Sequence, residues 1–388
     1  MLLPEIFRPV ADPSIDLVLS ANKESLASRS AVYTVSGTFP DIDEARVAIL
    51  GVPEYRGSFL NRDMKSGLSD IREKLYRLHR HAETVKLVDL GDLIPGETLQ
   101  DTYAALESVL FDLISKNVIP LVLGGSQDLS LAFYNAYKRM EKVINIVGID
   151  ARFDLGLPDD PSGSNSWLGK IVMQQPNYLF NFSNLGYQTY FVGAAGATLM
   201  ERLFFDAHRL GQLRADITEM EPVIRSADMV TFDLSSIRQA DAPGNTQPSP
   251  NGFAGEEACQ AMFYSGVNDR LTALGIFEMD YAADRGGQTA HLVAQMIWYF
   301  LEGVANRKND IPHPGHDGFT TYRVTLDKTD ILFLKNQNTG RWWIEVPLAG
   351  KNNRYRRHNF LPCSQKDYQQ ACDNEMPDRY WQALQKMV

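Results

Sequence analysis

Four stretches of this chain gather side-chain oxygen: Gly124-Gly125-Ser126-Gln127-Asp128, Asp150-Ala151-Arg152-Phe153-Asp154, Asp233-Leu234-Ser235 and Glu278-Met279-Asp280. Carboxylates and amide oxygens brought together can hold a hard cation such as Mg²⁺, Ca²⁺ or Mn²⁺, or a cationic organic group. Histidine, the usual companion of carboxylates at a transition-metal site, is missing from residue 82 to residue 207. Cys259, Cys363 and Cys372 are too few and too unevenly spaced for a zinc cluster or a disulfide framework. His313 and His316 stand three apart in a Pro- and Gly-rich loop without nearby cysteines, a poor zinc signal. Oxygen chemistry is therefore what the sequence offers.

The elements that must position these residues are short runs, apolar throughout, that suit strands covered on both faces. They start at Arg46, Val85, Ile119, Val143, Thr189 (TYFVG), Met229 and Leu274. Helical patterns such as those from Thr102 and Leu129 lie between several of them. Strand and helix alternation at this spacing predicts a mainly parallel sheet with helices on both sides, in which ligands bind beyond the carboxyl ends of the strands. All four oxygen-rich stretches fall at those ends. After about residue 306 the pattern changes to antiparallel strands joined by a turn at Asn338 to Gly340, followed by a polar loop and short helices beginning near Ser364 and Pro377. Adjacent Trp342 and Trp343 must face opposite sides of a strand, and at least one is expected to pack on the main domain. The organisation expected is an extension over 1–45, an α/β domain over 46–305, and an appendage over 306–388.

Bulk properties narrow the partners. Apolar residues make up 44% and charged residues 22%, a globular balance that excludes disorder. A net charge of -10 argues against nucleic acid as the main partner. The one dense basic run is Arg354, Arg356, Arg357 and His358, read as a solvated loop. No apolar stretch of about 18 residues is free of polar groups, because Gln295 and Glu302 interrupt the most apolar helix, so no membrane partner is expected. Nothing at the start reads as a signal peptide, and a cytoplasmic protein is expected.

From about Arg46 to Val304 the ordered segments resemble the arginase, agmatinase and formimidoylglutamase family. The resemblance rests on ILGVP with the later Asn61-Arg62, DLGD at 89–92, LVLGGSQDLS at 121–130, GIDARFDLG at 148–156, the long stretch from Thr231 to Ala258, and FEMDYAADRGGQTAHLVAQ from Phe277. It implies a three-layer arginase/deacetylase-like fold, a mainly parallel sheet with helices on both faces. It further implies two manganese ions sharing a hydroxide that attacks a guanidinium or formimidoyl carbon. By the family's motifs, Asp150, Asp154 and Asp233 keep ligand positions, while Gln127, Arg152 and Ser235 stand where ligands would be. That set leaves at most one oxygen-only site for a single divalent cation (Mn, Mg or Ca), and a full binuclear manganese centre is not expected. The Arg152 guanidinium is expected in the place of the second ion, paired with Asp150 and Asp233.

On the substrate side the resemblance points to Glu257, Glu278 and the loop residues Asn165, Ser166 and Trp167. Asp128 is a candidate replacement carboxylate, and Cys259 reads as a buried structural thiol. Two functions stay open. One is a catalytically impaired or non-catalytic protein that keeps an acidic pocket for a small cationic or amidine-like ligand, or serves as a scaffold. The other is a metal-dependent hydrolase of linear amidines. A homo-oligomer is expected by resemblance.

Overall fold

The computed structural model describes residues 3–11, 23–58, 67–80, 85–156, 163–313, 318–326, 329–347 and 359–387. Asn61, Arg62, His316 and the basic run at 354–358 lie outside them. Within the described residues the main sheet has ten strands: β1 (Phe7–Arg8), β2 (Ser30–Val32), β3 (Val47–Val52), β4 (Leu87–Leu93), β5 (Ile119–Gly124), β6 (Ile144–Ile149), β7 (Leu179–Tyr187), β8 (Asp206–Arg209), β9 (Met229–Asp233) and β10 (Ala273–Phe277). Their order is β1-β4-β3-β5-β10-β9-β6-β7-β8, with β2 also on β4; β1 alone runs antiparallel to its neighbour. The runs in β3, β5, β6, β9 and β10 are buried at every residue, as strands with helices on both faces must be.

The strand expected from Thr189 is not formed, and β1, β2, β7 and β8 are strands that no apolar run announced. The segment from Thr189 is a turn closed by Phe191 N–H on Gln188 O, and β7 precedes it. Its first half alternates Phe180 and Phe182 with Asn181 and Ser183, so no apolar run announces it. Those polar residues face a cavity described below.

The helices that flank the sheet are α1 (Leu68–Arg77), α2 (Leu99–Ser115), α3 (Ser130–Arg139), α4 (Trp167–Val172), α5 (Ala194–Arg202), α6 (Leu210–Ala215), α7 (Met220–Arg225), α8 (Gly255–Val267) and α9 (Gln288–Ala305). α2 starts at a capping box in which Asp101 N–H donates to Thr98 Oγ1 at 3.2 Å and Thr98 N–H to Asp101 Oδ2 at 2.8 Å. α1 is tied to β4 by Arg72, which is fully buried and donates to both Asp89 oxygens at 2.8 and 3.0 Å and to Asp92 Oδ1 at 2.6 Å. None of the helices among the described residues is long and apolar enough to cross a membrane.

Beyond residue 318 the chain forms a separate antiparallel sheet of β11 (Phe319–Leu326), β12 (Thr329–Asn336), β13 (Trp342–Glu345) and β14 (Phe360–Cys363), with α10 (Gln365–Cys372) and α11 (Asp378–Met387). The β12–β13 turn has Gly340 at φ +71°, a conformation that glycine adopts without strain. Trp342 stacks on Tyr368 inside this unit, with ring centroids 5.0 Å apart. Trp343 faces the other way, onto Arg225 of the main unit at 4.4 Å, and Arg225 also donates to the carbonyls of Trp342 and Cys363, each at 3.1 Å.

Candidate functional site

Four neighbouring strands at the centre of the sheet, β5, β10, β9 and β6, deliver Gln127, Glu278, Asp233 and Asp150 to one place at their carboxyl ends. Asp150, Asp154, Asp233 and Glu278 are 2%, 7%, 4% and 1% exposed, so the cluster is out of bulk water. Each carboxylate is held by local hydrogen bonds. Asp150 Oδ1 accepts from Arg152 N–H at 2.8 Å, and Asp233 Oδ1 from Ser235 N–H at 2.6 Å. Asp154 Oδ2 accepts from the Trp167 indole at 3.0 Å. Glu278 Oε1 accepts from Gln127 N–H at 2.8 Å, and its Oε2 from Thr246 Oγ1 at 2.6 Å. Asp154 and Glu278 both sit at positive φ, +49° and +66°, unusual for residues with side chains and typical of places where the surrounding structure dictates the backbone.

Gln127 occupies the centre. One end of its amide lies 3.1 Å from Asp150 Oδ2 and 2.9 Å from Asp154 Oδ2; the other lies 3.2 Å from Thr231 Oγ1. With nitrogen toward the carboxylates, the amide donates to both and its oxygen accepts from Thr231, so every group is satisfied.

Burial pushes all four acids up. Asp150 rises well above the usual carboxylate range, first through burial and then through the charge of Asp154. Burial takes Asp154 to about 7, with Asp233 adding to it. Asp233 rises to about 8 through burial and Asp150, and Glu278 to about 8 through burial and Asp233. Like charges this close, with little solvent, favour shared protons.

The remaining residues singled out from sequence are placed as follows. Arg152 does not enter the cluster: its guanidinium stacks over the Phe191 ring at 4.2 Å, and it makes no ion pair among the described residues. Its charge acts only through space, holding Asp154 and Asp233 lower than they would otherwise be. The turn at 189–191, read from sequence as strand, is what supplies that ring. Glu257 also stays away. It is the third residue of α8, its carboxylate accepts from Ala254 N–H at 2.7 Å, and Arg214 lies 3.3 Å off, so the helix's unpaired N–H groups claim it as a cap. Trp167 is buried and braces Asp154, and Ser166 closes a turn on Gly163 O. Asn165 accepts from Gln247 at 3.4 Å, beside the Thr246 that holds Glu278. Asp128 turns the other way, to the Tyr103 hydroxyl. Thr231 and Thr246 were not legible from sequence; Thr231 looked like any β-branched strand residue.

The geometry can be set beside known proteins. The family model described as the arginase family matches residues 45–302. The chain belongs to the arginase family. Among curated relatives, the formimidoylglutamase of Geobacillus kaustophilus is 25% identical over 293 residues, covering 72% of this chain and 91% of the relative. That of Hahella chejuensis is 26% identical over 283 residues, covering 65% and 83%. A Trypanosoma cruzi formiminoglutamase solved with Mn²⁺ superposes with a TM-score of 0.64 at 21% identity, covering 76% of this chain and all of that one. The Bacillus subtilis formimidoylglutamase superposes with a TM-score of 0.60 at 19% identity, covering 70% and 96%. These two likenesses establish the arginase fold of the main unit.

Manganese in arginase-family structures raises the question of fit. Two such ions need several carboxylates with imidazoles completing each shell. This cluster contains no imidazole, a serine and an amide fill two of its corners, and no three His, Cys, Asp or Glu among the described residues are arranged to hold a metal ion. The donor set does not fit a two-manganese centre.

Proposed function

We propose that this arginase-family protein does not perform two-metal hydrolysis and instead keeps its acidic site to bind a small cationic or amidine-like ligand. The observation that carries the reading is the Gln127 amide spanning Asp150 and Asp154 at 3.1 and 2.9 Å. An amide there links two carboxylates by hydrogen bonds without adding charge, and burial, which pushes Asp233 and Glu278 up, favours their protonated forms and so further neutralisation. A cation entering such a cluster meets carboxylates that ionise in response, which favours guanidinium and amidinium groups over neutral molecules.

A second reading rests on the same contact. With the amide reversed, Gln127 Oε1 joins oxygens of Asp150 and Asp154 at the same short separations, with Asp233 beyond, an oxygen-only set suited to one hard divalent cation and feeble amidine hydrolysis.

Metal content after equilibration with excess Mn²⁺ separates the two. The expected result is no retained ion in the native chain, uptake of two in the triple variant Gln127→His, Arg152→His, Ser235→Asp, calorimetric binding of methylguanidine that Asp233→Asn weakens at least tenfold, and no hydrolysis of formimidoylglutamate. A stoichiometric ion that Asp150→Ala loses, together with hydrolysis, overturns the first reading in favour of the second.

A further inference from the structure

A polar cavity lies where strands β6 to β8 meet the C-terminal unit. It has a volume of about 430 Å³, within the range of small-molecule sites. One wall is formed by strands β6 to β8, with Asn145 of β6, Asn181 and Ser183 of β7, and Asp206 and His208 of β8; the other includes α10 and α11 of the C-terminal unit. Asn145 stands five strand residues before Asp150, roughly 16 Å at about 3.3 Å per residue, so the two sites are separate. The second wall lies outside residues 45–302, the part shared with the arginase family.

Two demands are made on this space, by Asp206 and by Lys386. Asn145, 5% exposed, donates from Nδ2 to Ser226 O at 3.0 Å, and its unpartnered Oδ1 is enclosed by protein. Asp206 takes both bonds from Asn181 (2.7 Å) and Ser183 (2.8 Å) on Oδ2, and no described residue donates to its Oδ1. This side of the cavity therefore lacks a donor. Across from it, the Lys386 ammonium donates to Asn181 Oδ1 and has no carboxylate within ion-pair distance among the described residues. Burial pushes Lys386 down from its usual range, and the charge of Asp206, beyond ion-pair distance, opposes it. Arg379 is already committed, to Asp367 at 2.9 Å and Glu219 at 3.5 Å.

We propose that this cavity binds a zwitterionic α-amino acid, its ammonium on Asp206 Oδ1 and its carboxylate on Lys386. A single-charge ligand would satisfy one demand and aggravate the other. A zwitterion satisfies both and leaves the charge of the cavity unchanged. The His208 imidazole lines the same wall and is close enough to report occupancy.

The test is calorimetric titration of the full chain with L-alanine, L-serine and L-glutamine, with propylamine and propionate as single-charge probes. Expected is one-to-one binding of at least one amino acid and of neither control. Affinity should fall at least tenfold in Asp206→Asn and in Lys386→Met and vanish in Ala383→Phe, which fills the cavity. It should be unchanged in Asp233→Asn, so that failure here and failure of the acidic site are distinguishable. In the unsubstituted chain, the same titration should shift the His208 imidazole resonance, assigned with His208→Gln; this holds even where a buried variant fails to fold. No binding by any amino acid, equal binding by propylamine, survival of binding in Ala383→Phe, or heat without a His208 shift overturns the proposal.

Discussion

Gln127 shows how one side chain sets the chemistry of a site. Its amide donates to two buried carboxylates that also face each other. Gln127→Leu removes the donor while keeping the bulk, and should cost about 1–3 kcal/mol, the range for orphaning buried acceptors, read as a lower urea midpoint at neutral pH. An unchanged midpoint would mean that protons alone hold the pair. His208 makes a prediction about pH. Burial holds its imidazole below the usual range, Arg379 acts the same way, and Asp206 and Asp367 oppose, with Lys386 on the facing helix. The unfolded chain takes up this proton near pH 6.5 and the folded chain only at lower pH, so stability falls as pH drops below about 6.5. Replacing His208 by Gln should therefore shrink the loss of urea midpoint between pH 7 and pH 5.5. An identical loss in both proteins would show that the imidazole titrates normally.

At the scale of elements, the apolar runs predicted from Arg46, Val85, Ile119, Val143, Met229 and Leu274 all became strands, because burial on both faces demands such runs. β7 escaped notice because one of its faces lines a polar cavity, a property of what packs there and not of the strand itself. The bond between α1 and β4 is polar as well. Arg72 lies between Asp89 and Asp92, so Arg72→Leu strands a buried charge and should cost about 3–5 kcal/mol. Adding Asp89→Asn should recover part of that loss, a coupling that a double-mutant cycle in denaturant measures directly. Strict additivity would place the two residues in separate roles.

The two sheets of the whole molecule meet through Arg225, whose guanidinium lies on Trp343 and donates to two backbone carbonyls of the C-terminal unit. Arg225→Met should remove both of these charged hydrogen bonds, at about 1.5–3 kcal/mol each. Limited proteolysis of the variant should then release a C-terminal fragment that the native chain retains; equal resistance would show that Trp343 packing alone holds the units together. The same junction closes the second cavity, so loosening it should also weaken amino-acid binding there.

What the sequence by itself determined was the alternation of strands and helices, the antiparallel C-terminal unit, the arginase-family resemblance, and the acids Asp150, Asp154, Asp233 and Glu278 at strand ends. These follow from periodicity and from motifs contiguous in the chain. Tertiary structure alone decided that Gln127 spans two of the acids, that Arg152 leaves the cluster for the Phe191 ring, that Glu257 caps a helix, and that Asn145, Asp206 and Lys386 share a cavity. Each of these depends on which way a side chain turns, or on residues up to hundreds of positions apart meeting across the sheet. Local pattern carries neither kind of information, because side-chain direction is settled by competing partners that only the folded chain brings within reach.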